Sequence, residues 1–286
     1  MDLGHHGLWF AVRAWRVPLE RHCPEYVAQA PGRSLPIMAG HNGRVIEELI
    51  ERMAALLESL QASGDQRRYF HATYQRTTVA VAEELKRGGF IDTEWVERWD
   101  VAFADLYLDA LQAAQAGHRP TRPWDIAFSA PADLPPLRHV LLGMNAHINY
   151  DLPQALLAVI TDEQFDDAEL IARRESDHRA IDAVLASRVA AEDDELTRIS
   201  GAGSLLDRLL RPLNRLGTQR FLREAREKVW ANAIVLSRAR RQGPEAYAGV
   251  LAQLEELSAA KVVALQAPGQ VVLKLAATGF GVRLPG

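Results

Sequence analysis

His147 and Asp151 stand four residues apart in the stretch Leu141-Leu-Gly-Met-Asn-Ala-His-Ile-Asn-Tyr-Asp-Leu152. A helix places positions so spaced on one face, so imidazole and carboxylate project side by side. Such a pair can share a metal ion, exchange a proton, or satisfy each other inside a core. His139 lies two turns earlier, about 80° around the axis at roughly 100° per residue.

Three chemistries follow. In the first, His139, His147 and Asp151, joined by Asp177 from a later helix, ligate zinc, iron or manganese and assist a hydrolysis. In the second, no metal is used. His147, tuned by Asp151, acts as a general acid or base for a cyclisation or elimination on a small hydrophobic substrate. Tyr107, Trp124 and Trp230 then line the cavity, Asn145 and Asn149 contact the substrate, and Arg226 binds an anionic group. In the third, the protein is a non-catalytic helical binding or scaffold protein, and the polar trio fixes helix packing.

Composition narrows the field. The chain has 286 residues, 48% of them apolar and 24% charged, with a net charge of −4, which describes an ordinary globular protein. That balance gives no electrostatic footprint for a nucleic-acid backbone. Cys23 is the only cysteine, so disulfide frameworks and cysteine-rich zinc sites are excluded. No apolar run approaches the roughly 18 residues of a membrane span. Leu8-Trp-Phe-Ala-Val12 is too short for the core of a signal peptide. A soluble protein in the reducing cytoplasm, acting on a small molecule, is expected.

The elements that would position these residues are helices. Val45, Ile46, Leu49, Ile50, Met53, Leu56, Leu57 and Leu60 recur at helical spacing, and Ser63-Gly64-Asp65 ends their helix. A second helix is expected from about 67 to 87, closed by Gly88-Gly89. Asp92 is placed to cap a third, which turns Val96, Trp99, Phe103, Tyr107 and Ala110 inward. Residues 117–123 form a turn-rich connection, and Pro135-Pro136 opens the helix that carries His147. That helix has no purely solvated side, so it is central and buried. Later helices are expected at about 164–192, 203–215, 218–242 and 244–265. The tail after 266 is short, β-branched and glycine-containing; it either packs as extended chain or stays free. The expected architecture is one all-α, multi-helix domain over 42–266, preceded by an extension (1–41) and followed by a tail (267–286).

Ordered blocks across residues 42–236 carry a resemblance. They run from Tyr69-Phe70-x3-Tyr74-x2-Thr77 through Phe90-Ile-Asp92, Val101-Ala-Phe-Ala104-x2-Tyr107 and Pro120-Thr-Arg-x-Trp124. The central block is His139-x-Leu-Leu-Gly-Met-Asn-Ala-His-Ile-Asn-x-Asp-Leu152. Asp177-x3-Ile181 and Arg223-x2-Arg226-Glu-x2-Trp230-x2-Ala233 complete the series. In these blocks the chain resembles an uncharacterised bacterial helical family known only as a domain of unknown function. The resemblance implies a mostly helical fold and no reaction. His71, His178 and Asp182 depart from the family pattern, which usually has a small residue, a phenylalanine and an asparagine there. These three are therefore set aside as family-wide site residues.

Other motifs are weaker. His147-x3-Asp151-x2-Gln154 resembles the helical ligand motif of the zinc-dependent phospholipase C and P1-nuclease group. That group's N-terminal tryptophan ligand and the histidine directly after the motif are absent. Asp105-x3-Asp109 lacks the second acidic motif of helical prenyl-transfer enzymes. The arginines from Arg208 to Arg226 alternate with leucines and read as an amphipathic surface.

Overall fold

The computed structural model describes residues 44–200, 205–267 and 279–285, and among these the side chains of 45–188, 220–267 and 279–285. The expected N-terminal extension with Cys23, and the side chains of Arg208, Arg211 and Arg215, lie outside the described residues. The described chain is all-α and has no strand. No helix among these residues is long and apolar enough to cross a membrane.

α1 (Arg44–Ala62) buries Ile46, Leu49, Met53 and Leu60 against α2 (Arg68–Arg87). Gly88 ends α2 in the left-handed conformation, φ +73°, where its missing Cβ removes the steric cost. The Asp92 carboxylate accepts the Trp95 N–H at 2.9 Å and so starts α3 (Thr93–Gln115). Part of the expected connection at 117–123 is helical instead: α4 (Arg122–Phe128) begins there with Pro123 in its first turn. Proline needs no N–H partner at that position, which is why a segment rich in turn residues still enters a helix.

α5 (Pro136–Ala146) and α6 (Leu152–Val159) are joined without a break by a π-helical segment, His147–Asp151. Pro153 explains the widened turn. It has no N–H to give the Asn149 carbonyl, and its ring crowds that oxygen. The Leu152 N–H reaches back five residues to the His147 carbonyl, and the Gln154 side chain donates to the Tyr150 carbonyl at 2.8 Å. All five residues of the segment are buried, as expected for a central helix. α5 packs on α2 and α9, and α6 packs on α3 and α8.

The later helices are longer than their sequence breaks suggest. α7 spans Ala168–Ser200 after a 3₁₀ turn at Gln164–Asp166, and α8 runs unbroken from Leu205 to Gln242. Gly217 therefore interrupts nothing; a single glycine costs a helix only about 1 kcal/mol, which packing readily offsets. α9 (Pro244–Gln266) lies against α4, α5 and α8. Beyond it, residues 279–285 form a strap without regular secondary structure, with Phe280, Val282 and Leu284 buried.

Candidate active site

The π-helical segment delivers His147 and Asp151 to one interior point. His147 Nδ1 lies 2.8 Å from Asp151 Oδ2, and each residue is 2% exposed. Trp124, held in α4, donates its indole N–H to the same Oδ2 at 2.8 Å. Aromatic rings surround the imidazole. Phe103 stacks on it at 3.5 Å between centroids and 4° between planes. Tyr74 meets it edge-on at 4.5 Å. Phe70, Tyr107 and Trp124 stand about it at 5.9 Å.

This cage sets the charge. Burial holds His147 well below the usual imidazole range and pushes Asp151 well above the usual carboxyl range. The Trp124 N–H opposes the second shift by stabilising the carboxylate. The pair is thus kept without net charge. One polar atom of the pair is unusual: His147 Nε2 is buried and has no hydrogen-bond partner among the described residues. A buried, unsatisfied ring nitrogen costs free energy unless something else meets it.

Beside the cage is a small cavity of about 20 Å³, lined by Arg67, Phe70, Trp124, Phe128, His139 and Gly143 among others. It has room for about one water molecule. Phe70 and Trp124 form the wall shared with His147. Gly143 is required by that wall: a Cβ there would fall 2.4 Å from Phe70 Cγ. His139 faces this cavity rather than His147, stacks on Tyr69 at 5.9 Å, and leaves its own Nε2 unpartnered. Burial, reinforced by the Arg68 charge, holds His139 below the usual imidazole range.

Of the residues the sequence singles out, the fold assembles His147, Asp151, Trp124 and Tyr107. It sends the others elsewhere. The Asp177 carboxylate accepts the Ile91 and Asp92 N–H groups at 2.7 and 2.9 Å, so it ties down the loop before α3. Among the described residues no three His, Cys, Asp or Glu side chains are arranged to hold a metal ion. The expected quartet of ligands does not converge. Asn145 and Asn149 spend their amides on the C-terminal strap, both donating to the Phe280 carbonyl.

Arg226 and Trp230 belong to a second polar cluster. Arg226 Nε donates to Asp182 at 2.8 Å, its Nη2 donates to the His178 carbonyl, and its guanidinium lies 5.7 Å over the Trp99 ring. Trp230 packs on the His178 ring at 5.3 Å. Asp182, which departs from the family pattern, thus supplies the ion pair for a family-block arginine. His71 is satisfied at both nitrogens, by the Tyr107 hydroxyl at 2.9 Å and the Met53 carbonyl at 2.8 Å, and serves the core.

Sequence reasoning missed Asp100. It is 8% exposed, its Oδ2 is unpartnered, and burial raises its pKa to about 7 although the Arg226 charge opposes the shift. Asp100 follows Val96 by four residues and precedes Tyr107 by seven, so it shares the inward stripe of α3. A carboxylate inside an apolar stripe was the available signal.

A family model described as a family of unknown function (DUF5995) matches residues 46–268. Neither a curated protein nor a solved structure matches the chain.

Proposed function

We propose that this chain, which belongs to the family of unknown function DUF5995, is an acid–base enzyme built around His147. In this reading His147 exchanges a proton through Nε2 with a small, mostly apolar substrate, in an elimination or cyclisation. Asp151 and Trp124 are positioning residues: they fix the imidazole plane and tautomer through Nδ1. The observation that carries the reading is the division of labour on one ring. Nδ1 is committed to Asp151, while Nε2 is buried and unpartnered inside aromatic walls.

The donor set favours this over metal-assisted hydrolysis, because His147 and Asp151 spend coordinating atoms on each other and His139 and Asp177 face other partners. Substrate entry requires the cavity beside Phe70 and Trp124 to widen, since one water fills it as it stands. A second reading rests on that same closure: a pair only 2% exposed also serves a binding or scaffold protein as a packing device.

The two part company in one experiment. Purified protein is incubated with a small-molecule extract of the source cells, and conversions are followed by mass spectrometry alongside His147→Gln. The enzyme reading expects at least one compound consumed by the unaltered protein and spared by a folded His147→Gln variant. If the unaltered protein converts nothing, or the variant converts the same compound equally well, the packing role stands instead.

A further inference from the structure

The strap at the C-terminus is bound as a ligand is bound. The chain bends at Phe280, and residues 281–285 belong to no helix and pair with no strand among the described residues. Side chains take a strand's place. Asn149 Nδ2 donates to the Phe280 carbonyl at 3.1 Å, and its Oδ1 accepts the Val282 N–H at 2.9 Å. Asn232, on α8, repeats the grip two residues on: Nδ2 donates to the Val282 carbonyl at 3.0 Å and Oδ1 accepts the Leu284 N–H at 2.9 Å. An amide side chain used at both ends reproduces what a neighbouring strand offers along one edge, N–H to carbonyl and carbonyl to N–H.

At the bend, α8 meets the backbone as well. Glu224 accepts the Phe280 and Gly281 N–H groups at 3.2 and 3.1 Å, and Lys228 Nζ donates to the Gly281 carbonyl at 3.2 Å. Asn149 and Asn232 are fully buried, so they have this one backbone to satisfy them.

Pockets read alternate side chains. Phe280, Val282 and Leu284 are buried while Arg283 is exposed. Gly281 is read by exclusion, because a Cβ there would fall 2.7 Å from Ala225 Cα, a backbone atom with no freedom to turn away. Backbone hydrogen bonds for affinity and alternate pockets for selection are the features of extended-peptide recognition.

We propose that the groove formed by the π-helical segment and α8 is a peptide-recognition site. Its ligand is an extended protein segment with apolar residues at alternate positions and a glycine between the first two, and residues 279–285 are its intramolecular occupant. This stands apart from the chemistry assigned to His147.

The test opens the groove within the full chain. Gly281→Val drives the new side chain into the α8 backbone and releases the strap. The probe is a fluorescein-labelled peptide, Gly-Phe-Gly-Val-Arg-Leu-Pro, identical to residues 279–285. It is expected to bind the variant at least about tenfold more tightly than the unaltered chain, where a tethered competitor holds the groove. The same peptide with valine for its second glycine is expected not to bind. A variant that keeps its helical circular dichroism but shows no saturable binding overturns the proposal, and so does equal binding of both peptides. Should Gly281→Val fail to fold, hydrogen exchange on the unaltered chain decides. A detachable strap exposes the Val282 and Leu284 amides faster than those of 225–233 in α8, whereas equal rates would make the strap inseparable from the core and overturn the proposal.

Discussion

The Trp124 indole nitrogen lies 2.8 Å from Asp151 Oδ2, the same oxygen that meets His147 Nδ1. One buried carboxylate oxygen therefore joins α4 to the π-helical segment and orients the imidazole between them. Trp124→Phe keeps most of the ring and removes the donor. We expect it to lower unfolding free energy by about 1–3 kcal/mol, the cost of leaving a buried polar partner unmet. Urea denaturation measures this, and an unchanged midpoint would show that the indole N–H is dispensable.

His147 and Asp151 give opposite pH signatures. The folded His147 pKa lies below its unfolded value near 6.5, so the unfolded state takes up the proton first and stability is lost as pH falls through 6.5. The folded Asp151 pKa lies above its unfolded value near 3.8, so its contribution declines as pH rises from 3.8. His147→Gln should flatten the acid side of the melting-temperature profile, and Asp151→Asn should flatten the rise of instability above pH 3.8. Identical profiles for both variants would contradict this assignment.

Asp100 provides a separate signature with a defined window. Its folded pKa of about 7 exceeds the ordinary 3.8, so the folded state holds a proton that the unfolded chain has released. Stability is therefore lost between pH 3.8 and 7, by up to about 4 kcal/mol for a shift of roughly three units. Asp100→Asn should gain stability over the unaltered chain progressively across that window, with a constant gap above pH 7. Chemical denaturation at pH 4, 6 and 8 checks it, and a gap that is the same at all three would remove Asp100 from the titration.

Gly143 packs closely against Phe70 in the wall between the cavity and His147. Gly143→Ala puts a Cβ 2.4 Å from Phe70 Cγ, so the ring or α5 must move. Overpacking of this kind costs typically about 1–3 kcal/mol. We expect that loss, together with a shifted His147 imidazole signal in a nitrogen NMR spectrum, because Phe70 stands 5.9 Å from that ring. Loss of stability without a change at His147 would separate the wall from the site.

Much of the helical framework was legible along the chain because short-range chemistry decides it. Asp92 caps α3, Gly88 closes α2, and Pro136 opens α5, each through groups within a turn of itself. The same reasoning failed at Gly217, where a local weakness predicts a break and α8 continues. At Pro153 the cause is local, a missing N–H, yet the π-helical turn that accompanies it was not read from the sequence.

The candidate site divides along the same line. Spacing alone placed His147 and Asp151 on one face, and they are in contact. The expected site also took in Asn145 and Asn149 from the same helix and Asp177, Arg226 and Trp230 from later ones, and these turn to the strap, the α3 loop, Asp182 and His178. A sequence reports which residues are polar and how a helix spaces them. Which buried partner satisfies each one depends on what tertiary packing brings within about 3 Å, and every buried donor or acceptor must be met there. The sequence by itself determined an all-α chain with a buried His–Asp pair at its centre. Only the tertiary structure decided that the imidazole would sit in an aromatic cage with one nitrogen free, and that its neighbouring asparagines would hold the chain's own C-terminal segment.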